Sequence, residues 1–498
     1  MPDEEAHVQR ATSVTEETPL LLGDNYLCSN CNCNTMKHFS WCRCPVKLAE
    51  RKLFFDLLAV LFGIGAWIAV NGMFVQLPLL VQTQPEGWDL PSYLSVIVQI
   101  GNIGPISYSI LQRMKIKDSI VIYLILICGC LALLLMSFFY KNTVLVHDKY
   151  YSVPLFVLAF FIALVGCTSS VLFMPYMSNF RDIYLISYFV GEGLSGLLPS
   201  VVALIQGVGG NPTCMTINTV NGTEVVPVTA PPRFTTESFF IFLFVTLTIS
   251  TFAFSLMNNL PYCVSERVNP HYSSRRFRYS SSTSGDGSPC SQGDDDLQLE
   301  KQNEGRGSER SSSFQNNTVA ASAPSSNYTM LLLIIASWVC FLGNGVFPSI
   351  QSYSCLPYGN VAYHLSVTLA SMANPLACFV AFFIPQASVK SITFLTVLSS
   401  AVAGYIATTA FTSPVPPLVN SVAGEVLVVL SWIAFTGLIT FVKVSIASIF
   451  RQVSGRALFW CGASQQMGSA VGAVMIFLLI NKTKVFKSYS PCEFSDIF

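Results

Sequence analysis

Long stretches of apolar residues dominate this chain and alternate with short polar segments. A helix needs about 20 apolar residues to cross the hydrocarbon core of a bilayer, and about eleven stretches have that length. Their approximate bounds are 53–80, 92–112, 119–140, 153–177, 183–208, 236–260, 328–352, 361–385, 390–412, 419–447 and 456–481. The pattern predicts an all-α polytopic membrane protein with about 11 transmembrane helices.

Composition agrees with this prediction and excludes several functions. Charged residues make up 11% of the 498 residues, against about 25% in soluble domains. Lys plus Arg and Asp plus Glu both number 27, so no basic excess predicts a nucleic-acid partner. No nucleophile with its base, no metal-ligand set and no phosphate loop is recognisable, so we do not expect an enzyme.

Two longer polar segments divide the apolar stretches. The segment 209–235 contains the sequon Asn221-Gly222-Thr223, a candidate glycosylation site. The segment 261–327 is too poor in aliphatic residues to fold. The predicted organisation is a Cys-rich N-terminal region (1–52), a first bundle of six spans (53–260), a disordered cytoplasmic linker (261–327), a second bundle of five spans (328–481) and a tail (482–498).

The lysines and arginines predict the orientation, because cationic loops resist translocation. With a cytoplasmic N-terminus, 20 of the 27 fall on the cytoplasmic side and six on the outer side. Lys443 lies within a span. We therefore expect the segment 209–235 and the tail to be extracellular.

The two bundles share a pattern of polar residues that indicates an internal repeat. Three pairs of polar residues recur in corresponding spans at separations of 272 or 273 residues. The pairs are Asn71 with Asn344, Asn102 with Asn374, and Glu192 with Gln465. A six-plus-five repeat of this kind predicts a fold like that of the major facilitator transporters, without their twelfth helix.

Polar side chains inside spans usually face a bundle interior or an aqueous cavity. The candidate substrate-binding residues are Trp67, Asn71, Gln76, Asn102, Glu192, Asn344, Gln351 and Asn374. An aromatic residue beside amides suits a flat, neutral, hydrogen-bonding solute, and no mid-span Arg is present for an anion. An amide that only bonds a neighbouring helix is the alternative. For Lys443, a ligand role and an ammonium that reaches the interface both stay open.

The N-terminal region carries two further signals. Glu16, Leu20 and Leu21 belong to an acidic dileucine sequence, which is typical of sorting adaptors and endolysosomal routing. Cys28, Cys31, Cys33, Cys42 and Cys44 form a cluster before the first span. Their spacing favours acylation over a zinc site, and no metal ligand is predicted.

Several strings resemble the eukaryotic riboflavin transporters of the solute-carrier superfamily. They include VNGMFVQLPLLV, PEGWDLPSYLSV, NIGP, CTSSVLFMPYMSNF, YFVGEGLSGLLPSVVALIQG, GVFPSIQSYSCLPYGNVAYHL, ANPLA, GEVLVVLSW, FVKV and ALFWCGA, and they touch almost every span. The resemblance implies inward transport of riboflavin across the plasma membrane by alternating access. Riboflavin is then the substrate, and no cofactor is expected.

Two alternatives stay open at this point. One is an equilibrative nucleoside or nucleobase carrier, whose substrates present similar edges and faces. The other is a flavin-binding membrane receptor. A multi-pass protein of the plasma membrane with an endolysosomal pool is the expected localisation.

The same orientation predicts one disulfide. Only Cys214, Cys355 and Cys492 would face the oxidising exterior. Cys355 and Cys492 both belong to the second bundle, and the family resemblance also places cysteines there. We expect Cys355 to pair with Cys492, with Cys214 free or alternatively paired.

Overall fold

The computed structural model describes residues 52–114, 116–181, 183–219, 222–267, 326–383, 388–453, 455–483, 485–488 and 492. Four predicted features lie wholly or mostly outside these residues. They are the sorting sequence at Glu16, Leu20 and Leu21, the N-terminal cysteine cluster, the sequon residue Asn221, and the predicted disordered linker, of which residues 268–325 are not described.

The described residues from 52 to 267 form ten helices and two short hairpins. The helices are α1 (Leu53–Ile64), α2 (Ile68–Val75), α3 (Leu77–Thr83), α4 (Leu90–Ile100), α5 (Ile103–Arg113), α6 (Asp118–Phe139), α7 (Val153–Met177), α8 (Ile183–Gln206), α9 (Thr236–Asn259) and α10 (Pro261–Val264). A 3₁₀ turn (Gly87–Asp89) precedes α4. The antiparallel strand pairs are β1 (Val144–Val146) with β2 (Lys149–Tyr151), and β3 (Thr213–Thr219) with β4 (Gly222–Val228).

The described residues from 326 onwards form six helices. They are α11 (Ser326–Cys340), α12 (Phe347–Cys355), α13 (Asn360–Phe383), α14 (Val389–Phe411), α15 (Val422–Val453) and α16 (Gly455–Lys482). A π-helical turn (Phe341–Val346) joins α11 to α12, and a 3₁₀ turn (Leu356–Tyr358) follows α12.

The predicted all-α polytopic class is confirmed. In the described ranges, ten helices are long and apolar enough to cross a membrane, and the bent pair α1 and α2 brings the number to as many as 11. Their outward faces carry large apolar side chains, such as Leu124 and Phe138 of α6, which are 66% and 65% exposed. A soluble surface does not tolerate such a continuous apolar face, whereas lipid covers it without cost.

We call α1 to α10 the first half of the protein and α11 to α16 the second half. Glycines let helices cross closely within each half. A Cβ on Gly191 of α8 would overlap the carbonyl oxygen of Val60 in α1. In the second half, a Cβ on Gly468 of α16 would overlap the carbonyl oxygen of Ser337 in α11. Small residues at such crossings are a common packing device in membranes.

The helices have two distinguishable ends. We call the end that carries both strand hairpins the hairpin end, and the opposite end, where α1 begins, the Lys52 end. At the Lys52 end, the carboxylate of Glu266 forms ion pairs with Lys52 (2.8 Å) and with Arg181 (3.4 Å). Tyr184 donates to the same carboxylate at 3.0 Å, so α1, α8 and the segment after α10 are tied together.

The predicted pairing of Cys355 with Cys492 is wrong. The disulfide joins Cys492 to Cys214, the second residue of β3, with a Cα separation of 5.6 Å. Cys355 is a fully buried free thiol at the end of α12. The prediction treated the loop around Cys214 as remote from the tail, but the β3–β4 hairpin brings Cys214 to the tail at the hairpin end.

Candidate functional site

The first half contributes an amide and a carboxylic acid where its helices bend or carry glycine. Asn71 lies half-buried in α2, whose axis turns by 50° from that of α1. Its Nδ2 donates to Ser195 Oγ of α8 at 3.3 Å, and Ser195 Oγ donates to the carbonyl oxygen of Glu192 at 2.6 Å. Asn71 is therefore directed at the middle of α8.

The middle of α8 contacts the second half through two glycines. A Cβ on Gly196 would lie 3.6 Å from Asn71 Nδ2 and 3.7 Å from the carbonyl oxygen of Ser371 in α13. A Cβ on Gly193 would lie 3.7 Å from Pro375 of the same helix. The seam between the halves thus passes directly beside Asn71.

The second half presents a hydroxyl, an amide and an ammonium near this seam. Asn374 follows Ser371 by about one turn of α13, and its Oδ1 accepts from Thr440 Oγ1 of α15 at 3.1 Å. Lys443 lies about one turn further along α15 and is half-buried.

Glu192 of α8 and Lys443 of α15 lie on helices of opposite halves, and both helices pack against α13. Gly193, the neighbour of Glu192, faces Pro375 of α13, and Thr440, about one turn before Lys443, donates to Asn374 of the same helix. Among the described residues, neither Glu192 nor Lys443 makes a hydrogen bond or an ion pair through its side chain. Ionisable groups within a span are expensive unless they serve a cavity or a ligand, so both are candidates to contact a substrate.

We call these six residues the central polar cluster: Asn71, Glu192, Ser195, Asn374, Thr440 and Lys443. The cluster offers amide donors and acceptors, two hydroxyls, one carboxyl group and one ammonium. That inventory suits a solute with a mixed donor and acceptor edge. Three of its members come from each half, so any movement of one half against the other changes the cluster.

The other predicted site residues lie outside the central polar cluster. Two of them, Gln76 and Asn102, form hydrogen bonds with other side chains. Gln76 is 1% exposed, and its Nε2 donates to Gln206 Oε1 at 2.6 Å. The amide of Asn102 donates to Gln99 Oε1 at 3.3 Å where α4 meets α5. The Gln76 contact holds helices of one half together, as the alternative interpretation of span amides expects.

Three further predicted residues lie around the same bends. Trp67 precedes α2, and its ring lies 3.1 Å from the position of a Cβ on Gly166 in α7. Asn344 is exposed within the π-helical turn between α11 and α12. Gln351 is buried in α12, towards the hairpin end. No side-chain hydrogen bond joins these three residues to Asn71 in the described ranges.

Sequence reasoning missed two members of the cluster and left a third undecided. Ser195 and Thr440 are hydroxyl residues, which are frequent in spans and bond their own helix, so they carry little signal alone. Lys443 did carry a signal as a span lysine, and the structure places it on α15 about one turn after Thr440, which bonds Asn374 of α13.

Two cavities occur elsewhere in the described part of the chain. An apolar groove of about 230 Å³ lies between α11, α12, α14 and α16, beside Trp338 and Gly404. A more polar crevice of about 300 Å³ at the hairpin end is lined by Gln206, Arg233 and His364. Neither includes a member of the central polar cluster.

Comparison with known proteins adds to this geometry. Residues 51–488 match the family model described as "Solute carrier family 52, riboflavin transporter". A Danio rerio relative named "Solute carrier family 52, riboflavin transporter, member 3-A" is 39% identical over 458 residues, covering 89% of this chain and 98% of the relative. Member 3 from Homo sapiens is 35% identical over 476 residues, covering 88% of this chain and 98% of the relative.

Among solved structures, a D-xylose–proton symporter superposes with a TM-score of 0.50 at 12% identity. The superposition covers 86% of this chain and 90% of the symporter. This likeness concerns the fold alone and agrees with the predicted major-facilitator-like architecture. The family model and the relatives together show that this chain belongs to solute carrier family 52, the riboflavin transporter family.

Proposed function

We propose that this chain carries riboflavin across a membrane by alternating access between its two halves. The observation that carries the proposal is the central polar cluster, to which both halves contribute at a seam in the middle of the spans. In transporters built from repeats, substrate sites lie near the midplane where the repeats meet. The family and the names of the relatives support riboflavin as the solute.

The chemistry of riboflavin suits the cluster. The molecule has a planar tricyclic ring, a uracil-like edge that donates and accepts hydrogen bonds, and a hydroxylated ribityl chain, and it is neutral near pH 7. The amides of Asn71 and Asn374 match the edge, and the hydroxyls of Ser195 and Thr440 match the ribityl chain. The ammonium of Lys443 can donate to a ring carbonyl.

We further propose import, with the hairpin end outside the cell. The distribution of lysine and arginine supports this orientation, and so does the disulfide between Cys214 and Cys492, because disulfides persist on the oxidising side. The described hydrogen bonds between the halves lie at the hairpin end, as in the bond from Ser352 Oγ to the carbonyl oxygen of Trp88 (2.6 Å). The structure then corresponds to a state closed towards the outside.

The test is uptake of labelled riboflavin by cells that express the chain. We expect saturable uptake that unlabelled riboflavin suppresses and uridine does not. Suppression by uridine at equal concentration would favour the nucleoside carrier instead. No uptake by protein that surface labelling finds at the plasma membrane would contradict riboflavin import.

We propose the plasma membrane as the main location, with an endolysosomal pool set by Glu16, Leu20 and Leu21 and with glycosylation at Asn221. Replacing both leucines with alanine should raise the fraction of protein at the surface. Asn221→Gln should lower the mass of the protein by the amount that a glycosidase lowers the mass of the unaltered protein. An unchanged surface fraction would contradict the sorting role, and an unchanged mass would contradict the glycan.

A further inference from the structure

The two halves are sealed to each other at the hairpin end by a small set of contacts. Tyr353 of α12 donates to the carboxylate of Asp89 at the start of α4, and its ring meets Trp88 at 5.6 Å in an edge-to-face arrangement. Asn481 of α16 donates to Ser92 of α4 at 3.5 Å. We call these residues, with Ser352, the hairpin-end seal.

The C-terminal tail packs on the back of this seal. The ring of Phe486 is 9% exposed and lies 5.2 Å from Tyr353 and 5.0 Å from Phe411 of α14. The carbonyl oxygen of Lys487 accepts from Ser413 Oγ at 2.8 Å. The start of the tail is therefore fixed to the second half, directly behind the tyrosine that bonds Asp89.

The tail then attaches covalently to the first half. Cys492 is bonded to Cys214, which lies in the segment between α8 and α9. In the same segment, Asn211 Oδ1 accepts from the backbone N–H of Val361 in α13 at 3.2 Å. Four residue steps separate Ser488 from Cys492, and they span at most ~14 Å, so the anchored tail cannot move far from the hairpin.

We propose that the tail and the Cys214–Cys492 disulfide form a brace that favours closure of the hairpin-end seal. Opening at this end must separate Tyr353 from Asp89, and thus move the surface that Phe486 covers away from α4. The disulfide keeps the tail and the hairpin at high effective concentration. Cleaving it removes a constraint that the closed arrangement satisfies already, so the population shifts towards an open hairpin end.

The test is hydrogen exchange of the purified full-length protein in lipid nanodiscs, with and without the reductant TCEP. Backbone exchange reports the local free energy of opening. We expect reduction to speed exchange in peptides covering 87–92 and 347–358 by roughly tenfold. Peptides covering 52–64 and 259–267 at the Lys52 end should not change. Unchanged exchange in the seal after complete reduction, or equal acceleration at both ends, would overturn the brace.

Matched variants distinguish the loss of the Cys214–Cys492 disulfide from any other effect of TCEP on the protein. Cys214→Ser with Cys492→Ser should reproduce the reduced pattern and make it insensitive to TCEP. Cys355→Ser removes a buried thiol of the same half and should retain the response to TCEP. Phe486→Ala keeps the disulfide and should loosen the peptides around Tyr353 and Phe411, which its ring contacts. A Phe486→Ala protein with unaltered exchange there would contradict the packing part of the brace. No substrate is needed, so these results are independent of the proposed riboflavin transport.

Discussion

At the residue scale, the central polar cluster distinguishes amides with different roles. Asn71 donates to Ser195 beside the seam between the halves. Gln76 donates instead to Gln206, inside the first half. Both are span amides in the sequence, and composition alone treats them alike. Position relative to the seam decides which of them can meet a solute.

We expect Asn71→Ala and Asn374→Ala, one substitution in each half of the cluster, to weaken riboflavin transport more than they lower expression. An unpaired substrate edge in a dry site costs about 1–3 kcal/mol, which is roughly tenfold or more in apparent affinity. The measurement is concentration-dependent uptake normalised to surface protein. Asn142→Ala, in the exposed turn after α6, is the control and should transport normally. Normal transport by both site variants would remove Asn71 and Asn374 from the site.

Glu192 is the acid that we expect to carry any pH dependence of transport. It lies in the middle of α8 beside the seam, without a hydrogen bond or ion pair through its side chain in the described ranges. Glu192→Gln keeps the shape and removes the titration, so uptake measured from pH 5 to pH 8 should flatten while transport persists. A variant with the pH profile of the unaltered protein would assign the proton elsewhere.

At the scale of the element, close helix crossings depend on single glycines. Gly191 leaves no room for a Cβ against the carbonyl of Val60, while a Cβ on Gly404 of α14 would meet nothing within 4 Å. The two positions are therefore a matched pair for testing the crossing of α1 and α8.

Gly191→Ala should destabilise the protein by about 1–3 kcal/mol, because overpacking forces the helices apart. Gly404→Ala should be neutral or should stabilise α14 by about 0.5–1 kcal/mol, since alanine favours the helix. Thermal unfolding in detergent, followed by fluorescence, measures both. Equal melting temperatures for the two variants would contradict the close crossing.

The ion pairs at the Lys52 end predict a pH-dependent stability. Burial raises the pKa of Glu266, but its hydrogen bonds with Lys52 and Tyr184 and the nearby charges outweigh burial and hold the pKa below the ordinary 4.5. A depressed carboxyl pKa stabilises the fold above its ordinary value, and this stabilisation disappears as pH falls through the folded pKa.

Glu266→Gln should therefore lower the melting temperature at pH 7, with a free-energy cost of about 1–2 kcal/mol. The difference from the unaltered protein should shrink below about pH 4. The comparison uses the same thermal assay at several pH values. A difference that stays constant down to pH 3 would assign the effect to packing rather than to charge.

The sequence predicts elements better than it predicts their contacts. The length of each apolar stretch is enough to predict the spans, because the thickness of the hydrocarbon core sets the same minimum length for every spanning helix. The bend before Trp67 is marked by Gly63 and Gly65. The pairing of Cys214 with Cys492 was not predictable, because it depends on where the β3–β4 hairpin lies, and no local pattern specifies that. Thr440 was missed for the same reason, since only the packing of α15 on α13 brings it to Asn374.

At the scale of the whole molecule, the two halves meet in two places with different characters. At the hairpin end they are joined by hydrogen bonds, aromatic contacts and a disulfide. In the middle they meet through the glycine face of α8, with polar groups beside it. This arrangement fits a carrier whose halves separate at one end at a time around a shared site.

Solute counterflow with the purified chain in proteoliposomes tests this account most directly. Vesicles loaded with unlabelled riboflavin should accumulate labelled riboflavin transiently above its external concentration, because one carrier site serves both sides in turn. Empty liposomes and uridine-loaded vesicles should show no such overshoot. Folded, monodisperse protein that gives no overshoot with riboflavin, or gives one equally with uridine, would contradict a riboflavin carrier that works by alternating access.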